Sequence, residues 1–159
     1  MRQIDIGELI RLYKLKKHPE GGHFRESYRA KGKIAGIGRN YSTAIYFLLS
    51  AGERSQLHRI KSDEVWHFYL GGPLELAQIF PDGRTRKVVL GQDTFSGQKL
   101  QYAVPAGSWF GACTAKGTKF SLVGCTVAPG FEFADFELGD REKLLKKFPR
   151  AAALINKLT

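Results

Sequence analysis

The sequence predicts an all-β barrel or sandwich with one helix before it and short helices after it. Three observations predict this class: short β-branched or aromatic runs separated by Gly, Pro and Asp, the turn signal Pro81-Asp82-Gly83, and helical periodicity confined to the two ends. A chain of 159 residues with 43% hydrophobic residues can bury a core without disulfides or a structural metal. We therefore predict a single domain, 1–159, in which 1–22 form a helix and turn, 23–138 the barrel and 139–159 the C-terminal helices.

The first predicted element is an amphipathic helix. Its apolar side chains recur at i, i+3, i+4 and i+7, as Ile6, Leu9, Ile10 and Tyr13. Asp5 stands where an N-cap is expected, and His18-Pro19-Glu20-Gly21-Gly22 stops the helix because proline lacks the backbone donor and paired glycines favour a turn. His18, which precedes the proline in this turn, is expected to be exposed.

Strands are predicted throughout the middle of the chain, at a regular spacing that favours an all-β fold over alternating βαβ units. They are His23–Arg29, Tyr41–Ser50, Ser55–Ile60, Glu64–Leu70, Leu74–Phe80, Thr85–Leu90, Lys99–Val104, Ser108–Ala112, Lys119–Val127 and Phe131–Leu138. Two helical stretches follow, Arg141–Phe148 and Ala151–Leu158, with Pro149 between them.

The formal net charge of +10 is concentrated at the ends of the chain. Residues 40–139 carry nine Lys/Arg and nine Asp/Glu, so the excess lies in 1–39 and 140–159. No zinc-finger, RNP or helix-turn-helix pattern accompanies it, so we expect no specific nucleic-acid partner. A run of ~20 apolar residues and a signal peptide are both missing, which predicts a cytoplasmic protein with no membrane partner. Cys113 and Cys125 are expected to be free thiols.

One stretch has a spacing that packing alone does not explain. Gly52, His58, Glu64 and Gly71 form the pattern G-x5-H-x-I-x3-E-x6-G. This resembles the first motif of the cupin superfamily, in which a second His stands two residues after the first, at the position that Ile60 occupies here. The second cupin motif has its counterpart in Pro105, Gly107, Phe110 and Thr114, where the turn residues are present and the His and Asn are replaced.

Further motifs resemble a functionally uncharacterised cupin group over nearly the whole chain. They are the H-P-E-G-G turn at 18–22, the E-x-W-H-F-Y strand at 64–69 and Pro129-Gly130-Phe131. The resemblance implies a cupin jelly-roll β-barrel, a homodimer, and one small-molecule pocket in the barrel mouth. The run from Gly21 to Ser27 is similar to an early strand of the dehydrorhamnose epimerases, cupins that work without metal through a His base, which implies metal-free proton chemistry.

Strand alternation selects the side chains expected in this pocket. Glu64, Trp66 and Phe68 share one face of their strand and His67 the other, while Gln56, His58 and Ile60 share a face of the preceding strand. The predicted catalytic residues are His58 and Glu64. The predicted ligand-binding residues are Gln56, Trp66, Trp109, Phe110 and Arg25, the last through phosphate groups of a ligand.

No cofactor is expected, because a metal site would have only His58, Glu64 and the weak amide ligand Gln56. Three functions remain open. The first is a metal-independent, isomerase- or epimerase-like enzyme acting on a polar sugar- or nucleotide-like ligand, with His58 as base and Glu64 orienting it. The second is a cupin that binds a small ligand without turnover. The third is a metal-dependent enzyme with His58 and Glu64 as metal ligands.

Overall fold

The computed structural model describes residues 4–159, so residues 1–3 of the predicted N-terminal segment lie outside it. It confirms the all-β class. The strands are β1 Lys16–Lys17, β2 His23–Arg29, β3 Thr43–Ser50, β4 Arg54–Arg59, β5 Asp63–Gly71, β6 Leu74–Ile79, β7 Thr85–Leu90, β8 Gln101–Val104, β9 Trp109–Thr114, β10 Phe120–Ala128 and β11 Glu137–Leu138. The α-helices are α1 Ile6–Leu12, α2 Arg141–Lys147 and α3 Ala152–Leu158.

The strands form two antiparallel sheets packed face to face as a jelly roll. One sheet has the order β1-β2-β3-β10-β5-β8 and the other β11-β4-β9-β6-β7. Strands β9 and β10 follow each other in the chain but lie in different sheets, and the thiols of Cys113 and Cys125 on them are free. The inner core between the sheets is built from large apolar side chains, among them Phe47, Trp66, Leu76, Phe110 and Val123.

Helices cover the outer faces of both sheets. Helix α1, capped by the Asp5 side chain on the Gly7 N–H, packs Leu9 against Leu48 and Leu122 of the larger sheet. Helices α2 and α3 pack on the smaller sheet through a second cluster that includes Trp109 and the fully buried Ile155. None of the helices described between residues 4 and 159 is long and apolar enough to span a bilayer.

The predicted strand Phe131–Leu138 is wrong. Phe133–Asp135 form a 3-10 turn, and only the two residues of β11 pair with a neighbour, β4. The Phe131 N–H donates to the Thr43 hydroxyl at 3.0 Å, so a side chain takes the place of a strand partner. The segment consequently runs across the open end of the barrel with its aromatic side chains over the interior.

Candidate active site

A pocket opens between the sheets beneath the segment 131–136. Its cavity has a volume of about 80 Å³. Its lining is largely apolar and aromatic, with acidic and imidazole side chains at the floor and the charged side chains of Glu26, Arg29 and Glu132 at the mouth. The lining residues are His18, Glu20, Phe24, Glu26, Arg29, Thr43, Ile45, His58, Ile60, Glu64, Cys125, Val127, Phe131, Glu132, Phe133 and Phe136.

The turn between β1 and β2 places Glu20 at this floor. A Cβ on Gly21, whose φ is +111°, would lie 2.1 Å from the Arg54 carbonyl oxygen, so only glycine lets the turn approach β4 this closely. The Gln56 N–H donates to the Glu20 carbonyl at 2.8 Å and ties the turn to the same strand. Glu20 is thereby held 6% exposed inside the barrel.

Glu20 is the immediate partner of His58. Glu20 Oε2 lies 3.1 Å from His58 Nε2, and the Ser55 hydroxyl donates to Glu20 Oε1 at 2.8 Å. His58 Nδ1 lies 2.7 Å from the Gln56 carbonyl oxygen, which can only accept, so Nδ1 carries a hydrogen. The second ring nitrogen, Nε2, therefore shares a proton with the Glu20 carboxyl group.

His18 belongs to the same cluster, and its expected exposure is wrong. Its side chain is 6% exposed, and its Nδ1 accepts the Glu20 N–H at 3.2 Å and lies 3.6 Å from Glu20 Oε2. The ring packs edge-on against Phe24 with centroids 4.5 Å apart. Burial, with the nearby His58, lowers the pKa of His18 to about 4, so this imidazole is neutral at pH 7.

Glu64 lines the pocket beside this cluster, on β5. It is 7% exposed, and the thiol of Cys125 on β10 donates to its carboxylate. Burial raises the pKa of Glu64 to about 7 and that of Glu20 to about 8, and it lowers the pKa of His58. The floor thus holds two carboxyl groups that exchange protons near neutral pH, beside a histidine whose pKa burial lowers.

A β-bulge changes which residues of β4 enter the pocket. Ser55 pairs with Ala112 and His58 with Phe110, so three steps on β4 match two on β9. Ser55 and His58 therefore both point inward. Gln56, predicted to share the face of His58 and to bind ligand, lies outside the pocket lining, and it contacts the site through its backbone carbonyl.

The other predicted ligand-binding residues are also placed differently. Trp66 is 1% exposed in the inner core and Trp109 packs with the C-terminal helices, so neither lines the pocket. Arg25 is exposed and donates to the Tyr13 carbonyl at 3.1 Å, away from the pocket. Phe110 lies behind the lining and contacts His58, with ring centroids 4.2 Å apart. His67 faces the opposite side of β5, with Nε2 3.1 Å from the Thr126 hydroxyl.

These residues do not fit a divalent metal. His58 Nε2 is engaged by Glu20, His18 Nδ1 by a backbone N–H, and Ile60 offers no ligand. Over residues 4–159, no group of three or more His, Cys, Asp or Glu side chains is arranged to hold a metal ion. The alternative ligand set His58, Glu64 and Gln56 is not brought together, because Gln56 lies outside the pocket.

Ion pairs fasten the segment over the pocket mouth. Arg29 donates to Glu132 at 2.6 Å and to both carboxylate oxygens of Glu26 at 2.8 Å, while Arg39 pairs with Asp135 at 2.7 Å. Phe136 of the segment stacks on His58 with centroids 5.2 Å apart. The segment therefore restricts access of water to the floor.

Sequence reasoning misses Glu20, Ser55 and Cys125 at this site. Glu20 stands within the H-P-E-G-G motif, and in the sequence-based prediction the two glycines of this motif serve only to end the first helix. Paired glycines directly after an acidic residue also indicate a close backbone approach, and that is the signal that could have found Glu20.

Comparison with known proteins agrees with this architecture. Residues 7–139 match the family described as Cupin superfamily (DUF985). The uncharacterized protein YML079W of Saccharomyces cerevisiae is 28% identical over 157 residues, which cover 89% of this chain and 78% of the yeast protein.

Solved structures give the same picture. Protein SO0799 of Shewanella oneidensis superposes with a TM-score of 0.93 at 39% identity, covering 99% of this chain and 98% of that one. A hypothetical protein from Leishmania major gives 0.91 at 35% identity, covering 98% and 99%. Oxalate decarboxylase from Bacillus subtilis gives 0.60 at 15% identity; 90% of this chain matches 36% of that enzyme, which shows a shared fold.

Proposed function

Because the chain belongs to the DUF985 family of the cupin superfamily, we propose that its barrel pocket binds a small molecule and catalyses a metal-independent proton transfer of the isomerase or epimerase type. The observation that carries the proposal is the contact of 3.1 Å between Glu20 and His58 in a buried pocket that also contains Glu64. Isomerases and epimerases that move a proton need two groups able to give and take it near neutral pH.

In this proposal Glu20 and His58 act as one acid–base pair and Glu64 as the second group. Ser55 and the Gln56 carbonyl hold the pair in place, so a substrate proton is accepted at Glu20 Oε2 or His58 Nε2 without reorganisation. A carboxyl group with a pKa of about 7 is half ionised at pH 7, so Glu64 both gives and takes a proton there. The proton removed from carbon by one group is returned by the other.

The substrate is compact. A cavity of about 80 Å³ that opens at its mouth takes up one compact group of a ligand, so a whole nucleotide does not fit inside. Arg54 and Arg59, which could also bind a phosphate group, lie outside the pocket lining: Arg54 donates to the Lys157 carbonyl and Arg59 to Glu137. A sugar-like or other small carbonyl compound suits the pocket better than a phosphorylated one.

The test is deuterium exchange from solvent into small carbonyl compounds, followed by NMR with purified protein. Wild type should catalyse exchange at carbon next to the carbonyl of at least one of a panel of ketoses, amino sugars and amino ketones. His58→Ala and Glu20→Gln should each reduce the rate about 100-fold or more, since each removes the shared proton, and Glu64→Gln should produce a smaller defect.

His67→Ala is the matched control, because this imidazole lies on the outer face of the same strand as Glu64. It should leave exchange unchanged. A His67→Ala variant that loses activity while His58→Ala keeps it contradicts the proposed site. Ligand binding with no exchange in any compound favours instead the non-catalytic cupin, which uses the same pocket.

A further inference from the structure

Among residues 4–159, the pocket lining offers its acidic groups no free positive charge. Glu20 and Glu64 lie at the floor, and of the described arginines Arg29 alone lines the pocket. Its guanidinium group is committed to Glu26 and Glu132 at the mouth, with contacts of 2.6 to 2.8 Å. An anion entering the pocket would find no free positive charge and would oppose ionisation of Glu20 and Glu64, whereas a cation would favour their ionised forms.

Aromatic rings form the wall above these carboxyl groups. Phe24, Phe131, Phe133 and Phe136 all line the pocket. The rings of Phe131 and Phe133 are inclined at 79° and those of Phe133 and Phe136 at 69°, so their faces are presented in different directions. Ring faces carry the negative part of the aromatic quadrupole and attract organic cations, and several inclined faces suit a tetrahedral ammonium group.

We propose that the pocket selects ligands with a compact organic cation, an ammonium group, which the phenylalanine rings surround and the carboxyl groups of Glu20 and Glu64 neutralise. This inference rests on the proposed ligand pocket and adds the charge class of its substrate. Aromatic faces and carboxyl groups that can ionise without a basic partner both favour a cation and both disfavour an anion. A neutral ligand of the same shape fills the space but does not favour ionisation of the carboxyl groups.

Proton release accompanies binding of such a cation. A positive charge beside Glu20 and Glu64 favours their ionised forms, and both groups bind protons near neutral pH in the free protein. Affinity for the cation should therefore rise between pH 6 and pH 9. The other titratable or charged groups that face this pair across the pocket are His18, His58, Cys125, Glu26, Arg29 and Glu132.

The test uses three probes of one shape and different charge. Choline is the cation, 3,3-dimethyl-1-butanol replaces its nitrogen by carbon, and 3,3-dimethylbutanoate is an anion. At pH 8.5 choline should bind the full chain about tenfold more tightly than the alcohol in titration calorimetry, and the anion should bind most weakly. Choline affinity should fall about tenfold at pH 6, and binding should release protons, seen as a dependence of the heat on buffer ionisation.

Carboxyl-to-amide variants separate charge from shape. Glu64→Gln should weaken choline binding about tenfold and leave the alcohol unaffected. Glu75→Gln is the matched control, because this carboxylate pairs with Lys157 outside the pocket. If Glu64→Gln fails to fold, the pH dependence of choline binding to wild type carries the test.

The inference is overturned if the alcohol or the anion binds as tightly as choline, or if choline does not bind at about 10 mM, where even a weak ligand occupies its site. Its failure is distinguishable from failure of the proposed reaction, since choline binding needs no turnover. Choline binding with no deuterium exchange in any compound leaves the charge selection standing and removes the proposed reaction. Exchange seen only in neutral or anionic compounds leaves the proposed reaction standing and removes the charge selection.

Discussion

At the scale of single residues, Glu20 and Glu64 bind protons more tightly in the folded chain than in an unfolded one. Burial raises their pKa values to about 8 and about 7 from an ordinary 4.5. Between pH 4.5 and 8 these two groups therefore hold more protons in the folded state, and their contribution to the free energy of unfolding falls as pH rises. His18 and His58 act oppositely, because burial lowers their pKa below 6.5 and the unfolded state then binds the extra proton at acid pH.

We therefore predict that stability decreases from pH 6.5 to pH 8.5, a window in which the loss from the two carboxyl groups exceeds the opposite contribution of histidines in the unfolded chain. The loss should be on the order of 2 kcal/mol, measured as a shift of the urea midpoint at constant slope. Glu20→Gln should reduce this dependence because an amide does not titrate, whereas Glu75→Gln should leave it unchanged. A wild-type chain that is more stable at pH 8.5 than at pH 6.5 contradicts the described burial.

At the scale of elements, the turn from His18 to Gly22 determines whether the site exists. Its backbone passes so close to β4 that a Cβ on Gly21 would overlap the Arg54 carbonyl. Gly38 also has a positive φ, +65°, but a Cβ there would have no atom within 4 Å. An alanine at Gly21 therefore adds both a steric clash and backbone strain, whereas an alanine at Gly38 adds backbone strain alone.

We predict that Gly21→Ala costs at least ~2 kcal/mol and displaces Glu20, because the turn must move away from β4. Gly38→Ala should cost about 1 kcal/mol, the penalty of a left-handed conformation without a clash. Chemical denaturation measures both. Pocket binding of choline should be lost in Gly21→Ala and kept in Gly38→Ala, and equal effects of the two variants would argue against the close approach of the turn to β4.

The C-terminal helices make a second prediction at this scale. Ile155 is fully buried between α3 and the smaller sheet, in a cluster separate from the pocket lining. Ile155→Ala should cost about 2 to 5 kcal/mol of unfolding free energy through lost burial and a cavity. Ligand affinity per folded molecule should stay as in wild type, and a weakened pocket would show that the two clusters are coupled.

At the scale of the whole molecule, we expect a homodimer formed through barrel strands. Of the sheet edges described, β1 and β11 have two residues each and β7 carries Arg86 and Lys87, features that discourage pairing. Edge strand β8 has no charged residue, and Leu100 beside it is 55% exposed. Light scattering at micromolar concentration should give twice the monomer mass, and Leu100→Glu should halve it.

The matched control for this prediction is Leu12→Glu, a change at another leucine, 70% exposed on α1, outside the strand edge. It should leave the dimer intact. Monomeric wild type would contradict the expectation altogether, and a dimer that survives Leu100→Glu would exclude the β8 edge as its interface.

Nucleic-acid binding should be weak and unspecific despite the net charge of +10. Affinity that comes from phosphate neutralisation by the end segments falls steeply with salt. We expect filter binding to DNA and RNA to disappear between about 50 and 200 mM salt, with no preference among sequences. Selective binding that persists at physiological salt would show that the charged ends form a specific surface.

The amino-acid sequence by itself determined the fold class and most strand positions. Hydrophobic alternation and turn residues are local properties, so they predict β2 and β7 with their observed ends. The placement of Glu64 and Trp66 on the inner face of β5, and of His67 on the outer face, follows from the same two-residue period.

The tertiary structure alone decided which groups share the pocket. The bulge in β4 inverted the phase between Ser55 and His58, and alternation cannot anticipate an inserted residue. Glu20 lies 38 residues before His58 in the chain, and the contact between them depends on a turn that a glycine lets pass beside β4. Packing decides which residues distant in the chain come into contact. Local sequence patterns contain no information about the distances between such residues.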